Sequence, residues 1–231
     1  MLLQLASIGI LIALIPLCYV LVKGDRNKYR KLVWITAFLT LDLIMFGSFT
    51  RLTDSGLGCP DWPGCYGTSN PFHARDDIHA AQAAMPSGPV TWMKAWIEMT
   101  HRYFALALGV LIITLVVLAW VKRKELKQSP WYATAVLALV CVQGAFGAFT
   151  VTMKLFPAIV SLHLMSGMLL LVLLMVQLVR QRHAGAHTEQ RVVQHGLPHG
   201  RDVRERHRLH GRHVVDLHAR RQPVHDRSHD V

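Results

Sequence analysis

Five apolar runs, at roughly 2–22, 32–50, 96–120, 131–152 and 157–179, decide most of what this chain can become. Each is close to the about 20 residues that an α-helix needs to cross the hydrocarbon of a bilayer. Inside hydrocarbon the backbone must satisfy its own hydrogen bonds, so runs of this length span as helices. The expected fold is therefore all-α, a polytopic membrane helix bundle with five transmembrane helices. A composition 52% hydrophobic and only 17% charged agrees with that class and not with a soluble domain. The first run has no basic residue ahead of it, so it reads as a true span rather than a cleaved signal peptide.

A formal charge of +11 would suggest a nucleic-acid partner on a soluble fold. Here the basic residues gather in short clusters between apolar runs, and no nucleic-acid motif is present, so nucleic acid is excluded as a partner. Lys23, Arg26, Lys28, Arg30 and Lys31 follow the first run, Lys122, Arg123, Lys124 and Lys127 the third, and Arg180 and Arg182 the fifth. The 51–95 segment carries Arg51, Arg75 and Lys94 against Asp54, Asp61, Asp76 and Asp77. Basic loops are retained in the cytoplasm. The N-terminus, the 51–95 loop and the 153–156 turn are therefore expected on the outer side.

The third run opens with Trp96-Ile97-Glu98-Met99-Thr100-His101-Arg102. Glu98 and His101 are three residues apart and project from nearly the same helix face. Ionisable groups at membrane depth are costly and mark a functional site by default. The structural alternative is an ion pair between Glu98 and Arg102 at i,i+4, with His101 a satisfied interfacial histidine. The rest of the chain favours the functional reading.

The segment Thr50-Arg51-Leu52-Thr53-Asp54-Ser55-Gly56-Leu57-Gly58-Cys59-Pro60-Asp61-Trp62-Pro63-Gly64-Cys65-Tyr66-Gly67 is a run of tight turns. Cys59 and Cys65, on the oxidising side, are expected to form a disulfide, structural or redox-active. Two thiols without histidines at fixed spacing are a weak metal signal. Cys18 and Cys141 fall inside spans and read as inert core cysteines. Trp62, Trp92 and Trp96 read as interfacial aromatics, and His73 and His79 as solvated. Residues 68–90 carry no chemistry that the sequence names.

The fifth run holds a second histidine in Ser161-Leu162-His163-Leu164-Met165-Ser166-Gly167. Both histidine-bearing runs enter from the outer side, and at 1.5 Å per residue both imidazoles fall within roughly 10 Å of that boundary. Two imidazoles at matching depth can face each other across haem iron, and bundle cores are where such sites are built. The fourth run supplies Gln143-Gly144-Ala145-Phe146-Gly147, whose small residues permit close approach of a helix or a flat ligand. Asp42, mid-span in the second run, is read as a buried carboxylate that must be neutral or paired, with no partner apparent.

Taken together, Thr50-Arg51-Leu52-Thr53-Asp54-Ser55-Gly56, Cys59…Cys65-Tyr66-Gly67, Glu98-x-x-His101-Arg102, Gln143-Gly144-x-x-Gly147 and His163-x-x-x-Gly167 resemble the heme A synthase family in order and spacing, over residues 32–180 and its N-terminal half. The resemblance implies an oxidoreductase that converts heme O to heme A, oxidising a haem methyl group to formyl for cytochrome c oxidase, through two hydroxylations and a geminal diol. It implies His101 and His163 as haem iron ligands, Glu98 as the catalytic carboxylate, and Arg51 and Arg102 as contacts for the propionates. It places Gln143, Gly144, Gly147 and Gly167 in the packing of the haem pocket, and gives the Cys59–Cys65 pair a part in electron transfer. Heme O synthase, an electron-transfer partner, membrane lipid and a second copy of the chain are the partners expected. The location implied is the bacterial inner membrane, with the N-terminus and the 51–95 loop periplasmic and the C-terminal tail cytoplasmic.

Members of that family have a second half with its own histidine pair and a heme b cofactor. Here the composition changes instead. Residues 1–182 hold eight Lys, eight Arg and four His, whereas 183–231 hold no Lys, nine Arg and ten His. The expected organisation is an added N-terminal helix and basic loop over 1–31, a four-helix haem-binding half over 32–182, and an Arg/His-rich tail over 183–231. The tail reads as an out-of-frame sequence, with a disordered cytoplasmic tail and a His-rich metal tract as alternatives. On that reading the chain is truncated and of reduced activity. A bis-histidine haem b electron carrier and an inactive remnant of the synthase are the rival functions.

Overall fold

The computed structural model describes residues 1–22, 27–126 and 128–195, with the backbone alone over 184–195. The chain divides into Met1–Ala184 and Gly185–Val231. Among the described residues seven helices run in order: α1 (Leu2–Val22), α2 (Lys28–Leu52), α3 (Arg75–Ala84), α4 (Trp92–Val121), α5 (Arg123–Leu126), α6 (Trp131–Thr152) and α7 (Pro157–His195). Five of them, α1, α2, α4, α6 and α7, are long and apolar enough to cross a membrane, as expected from the apolar runs. Among the described residues there is no strand, only an isolated bridge between Cys65 and Thr68.

Helix ends depart from the apolar runs where capping or propensity outweighs hydropathy. α4 starts at Trp92, four residues before its apolar run, because extended Thr91 caps it and the hydroxyl accepts the Lys94 N–H at 3.3 Å. α3 arises in a segment that reads as featureless. Asp76 and Asp77 complement its N-terminal dipole, alanines fill its later turns, and Ile78 is buried beneath it. α7 continues to His195, past the expected end at 182, because each added residue of a started helix gains one backbone hydrogen bond. The remainder of the Arg/His-rich tail lies outside the described residues.

α4 is the axis of the fold. It packs on α1, α2, α3 and α6, and Leu108, Leu111, Ile112 and Leu115 form a core with Leu32, Val33, Val136, Leu170 and Leu174. α1 approaches closely at Gly9, where an added Cβ would stand 2.8 Å from the Leu106 Cβ. α7 is tied in by side chains. The Tyr132 hydroxyl donates to the Leu173 carbonyl at 2.8 Å, and the Gln177 amide to the Tyr29 hydroxyl at 2.6 Å. α1 and α6 bury only narrow stripes, so Cys18 and Cys141 face outward rather than lying in the core. Asp42 is likewise exposed and not buried in the bundle.

Candidate functional site

Within one stretch of α4, residues 94–103, side chains divide between two tasks. Glu98, Arg102 and Tyr103 turn toward the 53–91 segment. The Glu98 carboxylate is paired with the Arg102 guanidinium and also accepts the Cys59 N–H at 2.8 Å. Arg102 donates further to the carbonyls of Asp61, at 2.9 Å, Pro63 and Gly64. The Tyr103 hydroxyl donates to the Ser69 carbonyl at 2.7 Å. Gly58 lets the segment lie directly on α4, since an added Cβ there would run into the Lys94–Ala95 backbone. A buried ion pair is tolerable when its remaining valences are hydrogen-bonded, and these carbonyls and this N–H supply that.

The clamp holds a disulfide. Cys59 and Cys65 are bonded, and both are 0% exposed. They sit in a small core with Ile78, Ala95, Met99, Tyr103 and Leu5 of α1. The turn after Cys65 is closed by Asp61, whose carboxylate accepts the N–H groups of Tyr66 at 2.6 Å and Gly67 at 2.7 Å. Both residues have positive φ, 49° and 68°. These bonds offset the steric cost at Tyr66. Burial and the charges of Asp77 and Asp61 push the Tyr66 phenol up from its ordinary range, so it stays neutral.

His101 turns the other way, toward α2. Its ring stacks on Phe46 at 6.0 Å, and an added Cβ at Gly47 would lie 3.0 Å from its Cε1. His163 of α7 lies against Gly147 of α6, where an added Cβ would stand 3.6 Å from the ring. Between them α7 lies on α2, since an added Cβ at Gly167 would stand 3.8 Å from the Ile44 side chain. Neither ring lies on the outer surface, and the Nδ1 atoms of both are wholly buried without a hydrogen-bond partner. Buried polar atoms ordinarily have partners. Two half-buried imidazoles with open valences, on separate helices and each set against a glycine, fit the donor set that haem iron accepts.

Gln143 fixes the position of His163. Its amide donates to the His163 carbonyl at 2.8 Å and accepts the Ser166 hydroxyl at 2.7 Å. Gly167 makes room, since an added Cβ would meet the Gln143 Nε2 at 2.5 Å. Gln143→Leu should remove both bonds and lower the unfolding free energy by roughly 1–2 kcal/mol, since such interhelical bonds contribute about 0.6–1.7 kcal/mol each. Chemical denaturation in mixed micelles measures it, and an unchanged midpoint would contradict it.

Of the residues singled out in the sequence, the structure gathers His163, Gln143, Gly147 and Gly167 in one group and sets His101 against Phe46 and Gly47 of α2. Glu98, Arg102, Cys59 and Cys65 form a second. The Glu98–Arg102 pair, which the sequence argument set aside, is formed, because the loop carbonyls that complete it come from residues 38–41 positions away. Arg102 is thereby committed to the loop and is not free for a propionate. Arg51, in the last turn of α2, is exposed. Gly144 packs on no neighbour, since an added Cβ meets nothing within 4 Å. Phe46 and Gly47 were missed. The sequence offers one hint, that Gly47 is the single glycine of the second run.

Comparison with known proteins gives a consistent result. Residues 30–200 match the family described as cytochrome oxidase assembly protein. A heme A synthase of Shewanella oneidensis is 41% identical over 155 residues, covering 66% of this chain and 46% of that protein. One from Alkalihalophilus pseudofirmus is 27% identical over 165 residues, covering 71% and 50%. One from Oceanobacillus iheyensis is 30% identical over 141 residues, covering 59% and 40%. The chain spans about half the length of the curated relatives it matches. No solved structure matches it.

Proposed function

Because this chain belongs to the cytochrome oxidase assembly protein family, we propose that it takes part in converting heme O to heme A, the oxidation of a haem methyl group to formyl. The observation that carries this reading is the imidazole pair of α4 and α7, with both Nδ1 atoms buried and unsatisfied. In this reading His101 and His163 hold the iron of the substrate from opposite sides, and Arg51 meets a propionate. Haem supplies the iron that such an oxidation needs. Glu98, one turn before His101 and held in the loop clamp by Arg102 and the Cys59 N–H, turns from that clamp to set its charge beside a carbon developing positive charge. The 51–95 loop faces the periplasm of a bacterial inner membrane, where the basic clusters at the other end are retained inside. Heme O synthase delivers the substrate.

A second reading is a bis-histidine electron carrier. It is favoured by the engagement of both Glu98 oxygens in the loop clamp, which leaves neither without a partner. The two separate in one experiment. The purified 231-residue chain is loaded with heme O in lipid, supplied with an oxidant, and its haem extracted and separated. Heme A among the products supports the synthase reading. Haem bound at both imidazoles but recovered unchanged supports the carrier. A chain that retains no haem would sink both.

A further inference from the structure

α1 takes no part in the loop clamp or at the imidazoles, and it lies ahead of residues 30–200, which carry the family match. Its first turns nevertheless reach the disulfide. Leu5 is 3% exposed and shares a core with Cys59 and Cys65, and Ile8 and Ile12 pack against that core. Met1 reaches the residue beside Cys65, since an added Cβ at Gly64 would stand 2.7 Å from the Met1 Sδ. The disulfide therefore has three walls: α4 with Ala95, Met99 and Tyr103, the loop with Ala74 and Ile78, and α1 with Leu5.

The walls are not held alike. The loop is bound to α4 by the Glu98–Arg102 pair, the Cys59 N–H and the Tyr103 hydroxyl. The α1 wall is built of Leu5, Ile8 and Ile12, whose side chains offer no hydrogen bond. In a membrane such side chains gain little from leaving lipid for protein. Pro16 follows within α1 and lacks the N–H that would bond the Ile12 carbonyl. The weakest turn of the helix thus lies between this wall and the far end, where Lys28 donates to the Leu21 carbonyl at 3.1 Å and Lys31 sits over the Tyr19 ring. We propose that residues 2–15 are a hinged cover over the Cys59–Cys65 bond, turning about Pro16, whose opening admits a dithiol reductant. A thiolate of the reductant displaces one cysteine sulfur, and its second thiol resolves the mixed disulfide. Cys59 and Cys65 are left as two thiols while the reductant closes to a disulfide. With the cover shut both cysteines are 0% exposed, and no thiolate reaches them.

The test uses the full chain without haem, in lipid nanodiscs and in a Cys18→Ser, Cys141→Ser background, so it is independent of the proposed reaction. Dithiothreitol is added, and the thiols formed are trapped with a maleimide and counted by mass. Leu5→Ala should speed reduction by more than about tenfold, since an emptied core site shifts an opening equilibrium at least that far. Leu5→Met keeps the volume and should react as the parent does. Leu174→Ala makes the same deletion at a 0% exposed position of α7. It weakens the fold but not the cover, and should leave the rate unchanged. Pro16→Ala restores the missing backbone bond and should slow reduction about tenfold, a modest share of what a proline costs inside a helix. Circular dichroism confirms that each variant is folded. A Leu5→Ala or Pro16→Ala chain reduced at the parent's rate would overturn the proposal. So would Leu174→Ala matching Leu5→Ala, since the bond would then open only with the whole fold.

Discussion

Replacing Arg102 by alanine should destabilise the fold by about 3–5 kcal/mol, the usual consequence of removing one partner from a buried ion pair. Glu98 is 4% and Arg102 9% exposed, so little solvent screening reduces that figure. The substitution leaves the Glu98 carboxylate without its counter-ion and takes a donor from the carbonyls of Asp61, Pro63 and Gly64. The loss should be local first. The 53–91 segment should become sensitive to protease, and Cys59–Cys65 open to reductant, before the span core of Leu111, Ile112 and Leu115 is affected. A double variant, Glu98→Leu with Arg102→Met, should recover part of the stability, since apolar residues need no counter-charge. Protease resistance and reduction rates unchanged in Arg102→Ala would show that the clamp does not hold the loop.

His101→Ala and His163→Ala should each reduce haem affinity by more than about 10-fold, since even an outer-shell partner of a metal ligand typically contributes that much. The two should act alike, because a macrocycle held from two sides loses its orientation when either imidazole goes. Stability should change in the opposite sense or hardly at all, since each substitution removes a buried Nδ1 that lacks a partner. Haem retained per chain after detergent extraction, read from its absorption bands, measures the first effect, and thermal unfolding of the haem-free chain the second. Full haem retention by both variants would remove the imidazoles from the proposed site.

How far the sequence reached depends on the range of the interaction concerned. The spans were legible because hydrocarbon demands long apolar helices whatever surrounds them. The histidines of α4 and α7 were legible because an imidazole inside such a helix has few structural excuses. The start of α4 was not, since Thr91 caps it through a bond that apolar periodicity does not register. Glu98 could face a ligand or Arg102 with equal local logic, and only carbonyls some 40 residues distant decide it. Gly47 shows the same limit. Its value lies in a His101 ring 54 positions away, and no local pattern carries that information. Asp42 lies between these cases. Its depth was readable from its place in the run, but its outward direction depended on which α2 face met α4.

The small core around the disulfide also orders events in time. Both sulfur atoms are sealed between α4, the 53–91 segment and Leu5 of α1. No oxidising enzyme can touch the thiols once those three pieces have met. The bond must therefore be made on a nascent, open chain, and a copy that closes with its cysteines still reduced must come apart before it can mature.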